Sequence, residues 1–150
     1  PHQRGKQYKS SFKSKNIVST SKPLQLLHLD LFGPTRIASL GGKHYAFDIV
    51  DDYSRFTWVI FLAQKSDAFE NFKNFTKRVQ NEKGYCISKI RSDHGKEFEN
   101  ENFESFCLEH GISQNFSSPM TPQQNGAVER KNQTLIEMAR TMLNEYGLPI

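Results

Sequence analysis

Residues 24–34 read LQLLHLDLFGP, a nearly continuous apolar run stopped by Gly33-Pro34. Hydrophobicity that is almost unbroken over this length suits a strand buried on both faces. Asp30 interrupts it. A carboxylate inside such a run is costly unless it binds a cation or several donors, and in mid-strand it has no helix to cap. Asp30 is therefore a candidate functional residue, and the sheet has to be built around it.

Outward from this strand, Gly41-Gly42 turns the chain into HYAFDIV (44–50), and the short polar link DDYSR leads to FTWVIFLA (56–63), which predicts an antiparallel hairpin. Asp51 and Asp52 read as turn residues that bond nearby backbone amides. Ser66 is expected to cap a helix running to about Asn81 and closed by Gly84. Its inner side carries Phe69, Phe72, Phe75, Thr76 and Val79, and Lys73, Lys77, Arg78 and Glu82 face water. CISKIRS (86–92) follows as a strand reached through that helix, as parallel pairing requires. Asp93 then falls at a strand's carboxyl end, where open α/β sheets place their chemistry. His94 beside it reads as an exposed loop histidine rather than a metal ligand. Residues 102–110 form a shorter helix with Phe103, Phe106 and Cys107 inward and Gly111 as C-cap, and ISQNF (112–116) is a last short strand.

Beyond it, Pro119 and Pro122 stiffen a loop that passes through Gln123-Gln124 and Asn125-Gly126 into a helix over about 125–146. Glu129 sits on its first turn, with thirty-five residues between it and Asp93. At 100° per residue, Val128, Leu135, Met138, Ala139, Met142 and Leu143 share an arc that must pack on the sheet, and Asn132 falls inside that arc. Gln133, Arg140 and Asn144 flank Glu129 on its other side, and Arg130 lies further round.

Composition bounds the possibilities. With 36% hydrophobic and 24% charged residues in 150, the chain fits one soluble globular domain, and no stretch approaches the roughly 20 apolar residues of a membrane span. The net charge of +4 comes from the start. Residues 1–22 hold six of the 20 Lys/Arg and none of the 16 Asp/Glu, which reads either as a solvated linker or as a nucleic-acid arm. The stretch has no apolar core of a signal sequence, and the absence of an initial Met implies a chain cut from a longer one. Cys86 and Cys107 are expected to be two buried free thiols in a reducing compartment, with neither zinc nor a disulfide.

Three acids in these settings suit phosphodiester chemistry. Two hard divalent cations about 3.5–4 Å apart can activate an oxygen nucleophile and stabilise a leaving oxygen. Mg²⁺ takes oxygen ligands and keeps several waters, so a few carboxylates and the substrate's phosphates suffice. Asp30, Asp93 and Glu129 could converge to hold such a pair. Gln133, Arg140, Asn144 and Arg130 would then lie along the path of a DNA backbone, with Lys6, Lys9 and Lys13 of the tail as further DNA contacts.

The wording around the acids is more specific than their spacing. HLDLFGP (28–34), IVDDYSRFTWV (49–59), IRSDHGKEFEN (90–100) and TPQQNGAVERKNQTLIEMARTML (121–143) together resemble the catalytic core of retrotransposon integrases of the copia type. The resemblance implies a ribonuclease-H-like fold, a mixed five-stranded sheet flanked by helices, and makes Asp30, Asp93 and Glu129 the triad for two Mg²⁺ or Mn²⁺ ions. It implies that DNA ends are trimmed and their 3′ hydroxyls then joined to target DNA. The partners would be element ends, target DNA and further copies of the full-length enzyme. The place would be the nucleus, after a cytoplasmic particle.

On this reading residues 1–22 are a basic linker ending a truncated zinc-binding module, and 23–150 are the core, incomplete at its C-terminal end. His2 stands where that module's last Cys is expected, ahead of Gly5-Lys6-Gln7. Two other readings stay open: an inactive DNA-binding or multimerising remnant, and a nuclease of the same fold that cuts without joining.

Overall fold

The apolar run forms β1, Leu26–Phe32, in a computed structural model that describes residues 19–35, 41–117 and 137. β2 (Tyr45–Asp51) and β3 (Thr57–Leu62) follow as the hairpin, then α1 (Ala68–Lys83), β4 (Lys89–Ser92), α2 (Glu101–His110) and β5 (Ser113–Phe116). The strands make one sheet in the order β3-β2-β1-β4-β5. β1 lies at its centre, antiparallel to β2 and parallel to β4, and β5 pairs parallel with β4. The expected mixed five-stranded sheet with flanking helices is the one observed.

Side-chain alternation divides the sheet into two unlike faces. Leu27, Leu29, Phe47, Ile49, Leu62 and Ile90 join the core with Ala68, Phe72, Phe75 and Val79 of α1 and Phe103, Phe106 and Cys107 of α2. Phenylalanines knit the two helices together: Phe72 lies 5.3 Å from Phe103, and Phe69 stands edge-on to both Phe103 and Phe106. The other face holds His28, Asp30 and Phe32 of β1 opposite Val50, Asp48 and Ala46 of β2. Only a small apolar cluster, Phe32 and Ala46 with Val59 and Phe61, marks this side among the described residues.

Helix ends follow the glycines, as expected. Gly84 and Gly111 take left-handed φ of +74° and +69°, a region open to glycine, and their N–H groups close the last turns. The start of α1 differs from expectation. Ser66 lies inside a 3-10 turn, Lys65–Asp67, and its hydroxyl donates to Gln64 Oε1; the Asp67 carboxylate accepts the Gln64 N–H instead. β4 is also shorter than the 86–92 stretch expected. The Ile87 N–H donates to Gln80 Oε1 at 2.7 Å, so this part of the connection is tied to the helix end, and β5 reaches it only at Ser88, whose carbonyl accepts the Ser113 N–H.

The acids of the hairpin divide. Asp51, buried, accepts from Ser54 Oγ at 2.7 Å and, more weakly, from the Tyr53 and Ser54 amides, as a turn aspartate should. It also accepts the Leu24 N–H at 3.1 Å, where Leu24 takes φ +66° just before β1. Asp52 lies in the turn, but its carboxylate serves groups other than the turn's backbone amides. Its carboxylate accepts from Thr20 Oγ1 at 3.0 Å and faces His28 Nε2 at 3.0 Å and Arg55 Nη1 at 3.4 Å, joining the segment before β1, β1 itself and the hairpin.

Cys107 is buried as expected, and burial pushes its thiol up to about 11. Cys86 is exposed, a correction that follows from its place in the polar connection before β4. One thiol should react with a disulfide reagent in the native protein at neutral pH, and the second only after unfolding. For the core, Phe103→Ala should cost about 3–5 kcal/mol in urea melts. Leu108→Ala on the same helix, 83% exposed, should stay within about 0.5 kcal/mol.

Candidate nucleic-acid-processing site

The β1–β4 register points two of the three expected acids towards one another. Asp30 is half-buried in β1. The parallel ladder between β1 and β4 ends at His28↔Arg91, and carried two residues further the same register sets Asp93 alongside Asp30. Asp93 is exposed and directly follows the last residue of β4. Adjacent parallel strands therefore deliver both carboxylates to the carboxyl end of the sheet.

The loop after β4 is held tightly. Asp93 Oδ1 accepts the Gly95 N–H at 2.8 Å, and the Gly95 carbonyl accepts the N–H groups of Phe98 and Glu99. Phe98 anchors the loop in the core, 5.8 Å from the ring of Phe47 and 5.9 Å from that of Phe103. Asn100 caps α2 by accepting the Phe103 N–H and donates to the Lys96 carbonyl. His94 is the exposed loop histidine expected: its Nδ1 lies 2.8 Å from Glu99 Oε1 and its ring stacks on Phe116.

At the end of β5 the Ser117 N–H donates to the Ser92 carbonyl at 2.8 Å, so the stretch leading to Glu129 sets out beside the residue before Asp93. Glu129 itself lies outside the described residues, with Gln133, Arg140, Asn144, Arg130 and Asn132, and so do Lys6, Lys9 and Lys13. Glu137 is helical and exposed. Among the described residues no group of three His, Cys, Asp or Glu could hold a metal ion. The two carboxylates that this register aligns are hard oxygen donors of the kind Mg²⁺ or Mn²⁺ takes, and no described residue bonds Asp93 Oδ2. Asp30 and Asp93 thus fit two positions of a divalent-metal site and leave the third to a residue beyond them.

Asp48 is the residue that sequence reasoning missed. It pairs directly with Asp30 across the β1–β2 ladder and is fully buried. Two carboxyl groups at one paired position repel when both are ionised, so Asp48 shapes the setting of Asp30. The signal was available, since YAFDIV places a carboxylate inside an apolar strand just as LLHLDLF does.

Two residues before Asp30, on the same face, His28 meets the Asp52 cluster. Burial pushes the imidazole below its ordinary 6.5, against the hydrogen bond and charge of Asp52. Burial works to raise Asp52 as well, but the bonds from His28 and Thr20 and the charges of His28 and Arg55 outweigh it and leave the carboxyl below its ordinary value.

Residues 20–122 match the family described as Integrase core domain. The chain is 39% identical over 97% of its length to the retrovirus-related Pol polyprotein from transposon TNT 1-94 of Nicotiana tabacum, of which it covers 11%. It is 35% identical over 91% of its length to that from transposon RE2 of Arabidopsis thaliana, of which it covers 9%. It therefore spans about a tenth of the curated relatives it matches. Among solved structures, the simian T-cell lymphotropic virus intasome in complex with the PP2A regulatory subunit B56 gamma aligns with a TM-score of 0.63 at 18% identity. That alignment covers 85% of this chain and 44% of the other. The catalytic core domain of BIV integrase aligns with a TM-score of 0.57 at 18% identity, over 81% of this chain and 73% of that one.

The His28 environment predicts a pH dependence. With its folded value below 6.5, the unfolded chain binds a proton that the folded one refuses. Stability should be complete above about pH 7 and fall as pH drops through 6.5 towards the lowered folded value, Asp52 adding a further loss below its ordinary value of 3.8. Urea melts across this range should show the first loss, and His28→Gln should flatten it.

Proposed function

We propose that this chain, which belongs to the integrase core domain family and has its ribonuclease-H-like fold, carries out the DNA-joining chemistry of a copia-type retrotransposon. The chain is the integrase core segment of a retrotransposon Pol polyprotein. The observation that supports the proposal is the β1–β4 register, which carried two residues past its last pair aligns Asp93 with Asp30, together with the bond from Ser117 to Ser92 where the stretch leading to Glu129 begins. Residues 23–150 are the core in this reading and 1–22 a basic linker.

The reaction has two stages. End processing adds water across a phosphodiester near the element's terminus and frees a 3′ hydroxyl. In strand transfer that hydroxyl's oxygen forms a bond to a target phosphorus, the bond to the target's own 3′ oxygen breaks, and that oxygen takes up a proton. Asp30, Asp93 and Glu129 would hold two Mg²⁺ or Mn²⁺ ions. Bound there, the ions ease ionisation of the attacking oxygen and charge on the leaving one. The protein's part is placement: β1 holds the Asp30 backbone, the end of β4 leads directly into Asp93, and the Phe98 anchor holds the loop that follows. Gln133, Arg140, Asn144, Arg130, Lys6, Lys9 and Lys13 would follow the phosphate backbone. The chain would work as a homo-oligomer on element ends and target DNA in the nucleus.

Incubation with a pre-cut DNA end, target DNA and Mg²⁺ or Mn²⁺ tests the proposal. Joined product is expected, and it should fall to background in Asp30→Asn, Asp93→Asn and Glu129→Gln, each melting like its parent. Cleavage without joining would point to a nuclease, and bound but unaltered DNA to an inactive remnant. Near-parental joining by any of the three variants would end the assignment of that acid.

A further inference from the structure

Gly95 stands two residues beyond Asp93, and its backbone is outside the left-handed region that favours glycine. Gly84 and Gly111, by contrast, have positive φ with open space where a Cβ would go. At Gly95 it is space that is lacking. A Cβ there would lie 2.5 Å from Glu97 Oε2, 2.8 Å from Glu97 Cδ and 2.9 Å from Asp93 Oδ1. The Glu97 carboxylate is the far end of a flexible side chain and can swing aside. The Asp93 carboxylate is on a short side chain, and the oxygen that would be struck is the one bonded to the Gly95 N–H at 2.8 Å.

Resting on the reading of Asp93 as a metal ligand, we infer that Gly95 is its positioning residue. The Gly95 N–H holds Oδ1, the missing Cβ leaves the carboxylate its place, and Oδ2 is the oxygen left for a cation. The direction of that N–H is set from behind, because the Gly95 carbonyl is bonded by Phe98 and Glu99 and Phe98 is sunk in the core. A ligand fixed in this way has less freedom to lose when the metal arrives, and groups that orient metal ligands typically govern affinity by about 10–100-fold.

The test is Mn²⁺ titration of the full chain without DNA, read by water proton relaxation, beside melting temperatures taken in chelator. Gly95→Ala should bind Mn²⁺ at least about tenfold more weakly while melting like the parent. Glu97→Ala should bind like the parent, and the double variant should be as weak as Gly95→Ala, because the contact with Asp93 Oδ1 persists. Parental affinity in Gly95→Ala would overturn the inference. So would recovery in the double variant, which would place the effect in Glu97, or a melting temperature that falls with the affinity, which would give glycine a role in the fold. Asp93→Asn separates the two levels of the argument. If it too binds like the parent, the metal reading fails and the inference with it; if it is weak while Gly95→Ala is normal, positioning alone fails.

Discussion

The structure depends on a central strand that has neighbours on both sides and carries a carboxylate towards its carboxyl end. β1 pairs with β2 along most of its length and with β4 over Leu26–His28, which places it at the centre of the sheet. Its odd-numbered side chains fill the helical core and its even-numbered ones include Asp30. A slip of one residue would drive Asp30 into the cluster of Leu27, Leu29 and Phe47 and turn leucines outward. The core therefore fixes the face on which the acid stands, and chemistry and folding share one register.

That register is secured at the start of the strand. Asp51 receives the Leu24 amide, and Asp52 gathers Thr20, His28 and Arg55, while the Asp52 N–H donates to the Leu26 carbonyl. Two acids at one end of β1 thus hold in place the strand that offers a third near its other end. Their worth is structural, and it joins local turn bonds to partners distant in sequence.

Local features were legible in the chain and pairings were not. Both strands of the hairpin, both helices and their closing glycines follow from periodicity and from the backbone freedom of Gly84 and Gly111, which act within a few residues. The placing of Asp93 at a strand end was legible too, because the length of the helical connection implies parallel pairing. What escaped was set by contacts across the fold: Asp48 beside Asp30, the role of Asp52, and the tie between Gln80 and Ile87 that shortens β4. Ser66 shows a smaller limit. A capping residue is recognisable by type, but whether the first turn starts after it or around it depends on a 3-10 turn that composition does not reveal.

The exposed cysteine offers a handle on the site. Cys86 lies in the connection leading into β4, and Asp93 lies just past that strand's other end. A maleimide dye attached there would sit at the far end of the same strand from the acid. Because Cys107 is packed against the helices, such labelling needs no cysteine to be removed. The native sequence thus already contains a reporter position from which DNA arrival could be followed by fluorescence transfer.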